Sequence, residues 1–243
     1  MTFNLSSEQI WSGYSALINF YGHLDDPFNS FPGLQHLILF IGIIWWVLHH
    51  RTENRRFWPG YFAFTFLAVC GAMAHTKELT NKQVDFGLWE LIFFLLSVFW
   101  GWVAWKKKHL FQITDFWPKW WIIIPLVIGL WYPISFWGGK GPGPTYFGNF
   151  SLNWKDFFLS PFSLWPQPTL IILLSVIGLT RKLPHLGVTV FTALAGLYFG
   201  WLGVFKMRVV WDWALVVVSS YIVFLALCAG IKNSVKEVNS EKN

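Results

Sequence analysis

Apolar runs of membrane length alternate with short polar breaks along almost the whole chain. A spanning helix needs about 20 mostly apolar residues, and about 17 at the least. Seven stretches approach or meet that length: Gly33 to Leu48, Phe57 to Thr76, Phe86 to Trp105, Trp120 to Trp137, Leu164 to Thr180, Leu186 to Phe205 and Trp211 to Gly230. The fifth is short and opens on Pro166 and Pro168, so its first turn is expected to be irregular or partly re-entrant. Pro125 and Pro133 are expected to kink the fourth, because each removes a backbone donor and crowds the preceding turn. Ahead of the first run, Ile10, Trp11, Tyr14, Leu17, Ile18 and Tyr21 recur at helical spacing, and Ser6 with Gln9 has the spacing of a capping box. Ser6 to Tyr21 therefore reads as an amphipathic helix lying flat on the outer membrane surface. The longest break, Gly138 to Ser163, starts with Gly and Pro turn chemistry and continues with the aromatic segment Tyr146 to Phe158, expected to pack on the outer surface.

The pattern predicts an all-α protein, a polytopic transmembrane helical bundle of seven spans preceded by the surface helix. Its parts are an outer amphipathic helix and linker at 1–32, a seven-span membrane domain at 33–230 with the outer loop at 138–163, and a cytoplasmic tail at 231–243. The polar residues Lys232 to Asn243 are expected to fray. Three spans on either side of the fourth run in the same in-out order, a plan that permits an internal parallel repeat of the kind some transporters use.

Composition turns the pattern into an exclusion. The chain is 55% hydrophobic and 12% charged, where an ordinary globular domain carries about 25% charged residues, and its mean hydropathy is +0.46. A soluble domain is excluded. The net charge of +6 does not indicate nucleic acid, because Lys and Arg sit in clusters between apolar runs and not interleaved on one face. Those clusters set orientation. One side collects Arg51, Arg55, Arg56, Lys106, Lys107, Lys108, Lys119, Arg181, Lys182, Lys232, Lys236 and Lys242; the other holds Lys77, Lys82, Lys140, Lys155, Lys206 and Arg208. The richer side is expected to be cytoplasmic, with the N-terminus outside and the C-terminus inside. Trp105, Trp117, Trp120 and Trp121 then mark the inner interface, and Trp137, Trp165, Trp201, Trp211 and Trp213 the outer one. Cys70 and Cys228 lie in separate apolar runs and are expected to be buried free thiols.

Four ionisable residues near span ends belong to the expected outer side: His36, His75, Glu90 and Asp212. Glu90 lies about 6 Å below Phe86 along a helix axis, near the water–hydrocarbon boundary, and intramembrane acids mark ion, proton or solute paths. The competing account is a local donor such as His36 or Lys206. His36 and His75 are weighed as axial heme ligands and His49, His50, His109 and His185 as an inner cluster, but metal-ligand spacing is absent. Structural hydrogen bonding is the better account of both sets, so neither a cofactor nor a metal is expected. No catalytic residue is assigned, and no Lys inside span seven offers a retinal Schiff base. Thr189, Thr192, Ser219, Ser220 and Tyr221, with Gly196, Gly200 and Gly203, are expected to serve helix packing.

Several short motifs follow one another in a familiar order: Ser7-Glu8-Gln9 with Tyr14, Gly71-Ala72-Met73-Ala74-His75, Asn81, Phe86-Gly87, Tyr132-Pro133, Pro166, Pro168 and Thr169, and Gly203 with Asp212. Taken together they resemble an uncharacterised domain-of-unknown-function family of bacterial polytopic inner-membrane proteins, whose members are often labelled transporter-like (MFS-like) permeases. The resemblance covers most of the chain. It departs at Gln167-Pro168-Thr169-Leu170, where the family pattern has a Cys beside the Pro-Thr pair and a second Thr. It implies seven spans in the bacterial inner membrane and directs interest to His75, Asn81, Tyr132, Thr169 and Asp212, and it implies no substrate.

The leading expectation is a small-solute permease or solute-binding membrane protein with an outer-facing polar pocket bounded by spans one, two, three, five and seven. Its candidate solute or ion site comprises His75, Glu90, Asp212, Thr169, His36, Asn81 and Tyr132. The alternatives are a non-catalytic subunit or assembly factor of a larger membrane complex, and an intramembrane enzyme using His75 with Glu90 or Asp212. Expected partners are membrane lipid, a small molecule and, under the second reading, other membrane subunits.

Overall fold

The structure is a computed structural model that describes residues 5–21, 31–48, 57–81, 83–106, 117–131, 162–180 and 182–240. Helices α1 (Ser7–Tyr21), α2 (Phe31–Leu48), α3 (Phe57–Leu79), α4 (Gly87–Lys106), α5 (Ile123–Leu130), α6 (Pro166–Gly178), α7 (Leu186–Trp201) and α8 (Trp213–Ser240) follow in that order. A 3-10 segment, Trp117–Ile122, leads into α5, a π-helical segment, Leu202–Lys206, extends α7, and a 3-10 turn, Val210–Asp212, opens α8. No strand occurs among the described residues. A helix pairs its backbone groups within itself, which is why apolar runs without water take this form.

Four helical stretches are long and apolar enough to cross a membrane: Phe57–Leu79, Gly87–Lys106, Leu186–Lys206 and Val210–Ile231. Gly33–Trp45, Lys119–Leu130 and Pro166–Gly178 are apolar but shorter. Pro125 falls in the first turn of α5, so the irregularity expected there is the change from 3-10 to α-helix just before it. Pro133 and most of the 138–163 loop lie outside the described residues. The tail expected to fray continues α8 as helix to Ser240.

Two antiparallel hairpins frame the bundle. In the α3–α4 pair, Phe62 meets Trp100 edge-on at 5.0 Å, Phe66 packs on Phe93 at 5.8 Å, and Ser97 Oγ donates to the Ala63 carbonyl at 2.8 Å. In the α7–α8 pair, the expected glycine face does the packing. A Cβ added at Gly200 would meet Val216 N at 3.1 Å, and one at Gly196 would meet Leu174 Cδ1 at 2.7 Å and crowd Ser219 Oγ. Gly203 lies directly against the Asp212 carboxylate.

Helix α6 sits between these hairpins, and each of its 13 residues is buried. From Leu170 to Ile177 its sequence is apolar except for Ser175, whose Oγ donates to Ile171 O at 2.7 Å within the helix, as suits a helix without a solvent face. At 1.5 Å per residue it is about 20 Å long, short of a hydrocarbon core of about 30 Å. Gly129 of α5 and Gly178 lie close to their neighbours: added Cβ atoms would meet Ile172 at 2.7 Å and Ile122 at 3.0 Å. At the end of α6, Lys119 Nζ donates to the carbonyls of Gly178 at 2.9 Å and Thr180 at 2.8 Å, and Thr180 Oγ1 donates to Ile177 O at 2.6 Å. These bonds use carbonyls that the helix itself leaves unpaired.

Helix α1 carries the expected capping box: Gln9 Oε1 accepts from Ser6 N at 2.9 Å, and Ser6 Oγ accepts from Gln9 N at 3.2 Å. Its apolar face, Ile10, Tyr14 and Leu17, is buried against protein. Gly13 lies on Phe86 and Thr76, the Tyr14 ring meets Trp165 edge-on at 4.6 Å, and Ser7 Oγ donates to Lys206 O at 3.1 Å. Helix α1 therefore lies across the end of the bundle where α3 and α7 finish and α4 begins.

Trp105, Trp120, Trp201 and Trp213 are exposed as interfacial residues would be, whereas Trp165, expected in the outer belt, is buried under α1. Both cysteines are free, but they are not buried as expected: Cys70 is half-buried, packed against the edge of the core, and Cys228 is exposed.

The glycine face yields a direct test. Gly196→Val and Gly200→Val are each expected to lower the melting temperature in detergent, at a cost of about 1–3 kcal/mol of overpacking. Gly71→Ala, whose Cβ meets nothing within 4 Å, should leave melting unchanged or slightly raise it. Equal losses at all three positions would remove the case for close α7–α8 contact.

Candidate functional site

The expected site residues separate into two groups. His75 and Glu90 meet different flanks of α3. Along α3 a residue turns about 100°, so Lys77 nearly eclipses Cys70 while His75 lies about 140° away on the other flank. Glu90 is half-buried and in electrostatic range of Cys70, Lys77 and Asp85. His75 instead meets the Phe20 ring edge-on at 4.8 Å, and its Nε2 lies 3.8 Å from Glu78.

Asn81 has a backbone reason for its place. Its φ of 50° closes α3 in the left-handed region, and its N–H donates to Glu78 O at 3.1 Å. Asn tolerates that conformation better than other residues with a Cβ. The turn is tied by Lys77 Nζ, 3.0 Å from Asp85 Oδ2, while Asp85 Oδ1 accepts from Gly87 N at 3.0 Å. The hydrogen bond from Lys77, and then that from Gly87, hold the Asp85 carboxyl below the usual carboxylate range. The cleft beside it, bordered by Phe86, Trp89 and Lys206, has a volume of about 20 Å³, room for one water.

The second group converges on the start of α6. His36 is fully buried with its ring 5.4 Å from Phe162. Phe162 also packs on Tyr61 at 6.4 Å, and Tyr61 OH donates to Gln35 O at 3.0 Å. Ser163, in the left-handed region with φ of 65°, follows Phe162, and its N–H donates to Thr169 Oγ1 at 2.9 Å. Thr169 Oγ1 in turn donates to Trp165 O at 2.7 Å, so the Thr169 hydroxyl is engaged in holding the first turn. Gln167 Nε2 lies 3.5 Å from Met207 Sδ, in the same α7–α8 connection that holds the buried Asp212. That connection is irregular: the π-helical segment, Arg208 at φ 59°, and a Val209 N–H donating to Gly203 O at 2.9 Å. Tyr132 lies outside the described residues.

Sequence reasoning passed over the amides of this seam. Gln35, Gln167 and Ser163 are fully or almost fully buried, and Gln35 Oε1, Gln167 Oε1 and Ser163 Oγ have no hydrogen-bond partner among the described residues. The available signal was Gln35 standing beside His36 in an apolar run, and Gln167 between two prolines. Pro166 and Pro168 have no N–H, so burying the first turn of α6 strands fewer donors than another sequence would. What remains is a set of buried acceptors. No group of three or more His, Cys, Asp or Glu side chains able to hold a metal ion occurs among the described residues.

No family model, curated protein or solved structure matches the chain.

Protonation of Asp85 is the accessible test at this end. Its lowered pKa means the tie to Lys77 stabilises the fold at neutral pH, and that contribution is lost as pH falls below the ordinary value of about 3.9 through the folded one. Asp85→Asn should therefore show a shallower loss of melting temperature below about pH 4 than the wild type. Identical acid limbs would show that the pair adds nothing to stability.

Proposed function

We propose that the chain is a small-solute permease or solute-binding protein, multi-pass in the bacterial cytoplasmic membrane, with the solute site at the start of α6. The observation that carries this reading is the wholly buried 13-residue helix α6, entered through Pro166 and Pro168, with Ser163 Oγ and Gln167 Oε1 at its first turn, and Gln35 Oε1 next in the chain to the His36 that packs on Phe162, all buried acceptors with no partner among the described residues. A buried acceptor without a partner costs about 1–3 kcal/mol, so a ligand that supplies donors has something to gain there. Transporters place solute sites at interrupted helices for the same reason. The set favours a small polar solute rich in N–H or O–H groups. The resemblance to an uncharacterised family whose members are often labelled transporter-like (MFS-like) permeases is in keeping with this reading.

Seven spans with the N-terminus outside complete the proposal. Helix α1 then covers the outer mouth, and the Lys119 end faces the cytoplasm. With Cys70 and Cys228 replaced, an impermeant thiol reagent on intact cells should label a cysteine placed at Lys140 and spare one at Lys107; the opposite pattern would reverse the topology.

The site itself is tested by thermal shift against panels of amino acids, polyamines, sugars and inorganic cations. At least one class should raise the melting temperature of the wild type. Gln167→Leu, which removes a buried amide at similar volume, should keep or raise the basal melting temperature and abolish that shift. A wild type indifferent to every panel, and purified only with partner chains, would favour the complex-subunit reading instead.

A further inference from the structure

A second feature lies at the opposite end of the bundle, away from the start of α6. Helices α4 and α7 flank an open groove of about 550 Å³, lined by Val98, Phe99, Trp102, His185, Gly187, Val188 and Phe191. The volume falls within the roughly 300–1,000 Å³ of sites that bury small ligands. Its walls are almost wholly apolar, with Trp102 edge-on to His185 at 5.0 Å and Phe99 edge-on to Phe191 at 5.6 Å. Gly187 keeps one wall open: a Cβ there would meet only the His185 ring, at 3.7 Å.

The rim is basic. Lys106 lies one helical turn beyond Trp102, and Lys182 three residues before His185. Both lysines are exposed, and no ion pair to either occurs among the described residues. His185 Nδ1 accepts from Val188 N at 3.2 Å, so in the neutral ring Nε2 carries the hydrogen and is a donor. No Asp or Glu occurs between Ile92 and Lys106 or between Lys182 and Trp211. An apolar trough ending at two lysines and an imidazole donor matches a molecule with a long apolar tail and an anionic head. In a bilayer that molecule is close at hand, since basic sites between helices bind acidic lipid headgroups.

We infer that the α4–α7 groove seats one acyl chain of an anionic phospholipid whose phosphate is held by Lys106, Lys182 and His185. The site is independent of the solute site proposed at α6; the orientation proposed above decides only that the lipid comes from the cytoplasmic leaflet. Gly187 then sets how deeply the chain enters, and the lysines set which headgroup is kept.

Native mass spectrometry of the full-length protein in detergent, titrated with phosphatidylglycerol or phosphatidylcholine, tests this. The wild type should retain phosphatidylglycerol in preference. Lys106→Gln and Lys182→Gln should each weaken phosphatidylglycerol binding about fivefold, the effect of one basic residue at an anionic surface, and leave phosphatidylcholine unchanged. Gly187→Trp should displace the tail and lower binding of both lipids, with the melting temperature of the lipid-free protein as the control for folding. Inorganic phosphate should not compete; competition would assign the site to a free anion and overturn the lipid reading. Equal retention of the two lipids by the wild type would overturn it as well. So would undiminished phosphatidylglycerol binding in both the lysine variants and a Gly187→Trp protein that melts normally.

Discussion

The structure depends on one constraint: a helix too short to reach both membrane surfaces has to find partners inside the protein for the groups at its ends. Helix α6 is that helix. At its finish, Lys119 and Thr180 supply donors to carbonyls that have no intrahelical partner. At its start, two prolines remove donors that burial would have stranded, and Thr169 ties the turn to Ser163 and Trp165. The other elements are placed by the need to surround it: α5 and α7 bring small residues against its sides, and Trp165, at its head, sits under α1.

The two ends of α6 differ chemically. The Lys119 end is closed by hydrogen bonds that employ the available groups. At the other end, buried amide and hydroxyl oxygens have no hydrogen-bond partner among the described residues, beside a π-helical segment and a buried carboxylate. Polar groups at membrane depth are costly, and the two ends of α6 meet that cost differently. Thr169 Oγ1 is hydrogen-bonded to Ser163 and Trp165, whereas Gln167 Oε1 has no partner among the described residues, although the two stand two positions apart.

Much of the architecture was legible along the chain because membrane helices obey rules that are local. The apolar runs, the capping box of Ser6 and Gln9, the shortness of the fifth run and the glycine face of α7 all follow from spacing and composition, and each has its counterpart in the bundle. The candidate site was legible only in part. His36, Thr169 and Asp212 come to buried positions around the start of α6, whereas Asn81 serves a left-handed turn and His75 sits on the opposite flank of α3 from Glu90.

Helix period and hydropathy are properties of neighbours in the chain, so the sequence by itself determined where helices form, which ones are apolar all round, and where prolines and glycines interrupt them. It did not determine which polar atoms remain without partners, because a partner for Gln35, Gln167 or Lys119 has to come from residues tens of positions away. The same holds for α1. Its apolar stripe is equally compatible with lipid or protein, and only the packing of Tyr14 on Trp165 and of Gly13 on Phe86 decided for protein. Burial and hydrogen bonding are shared between distant segments, and only the tertiary structure brings those segments together.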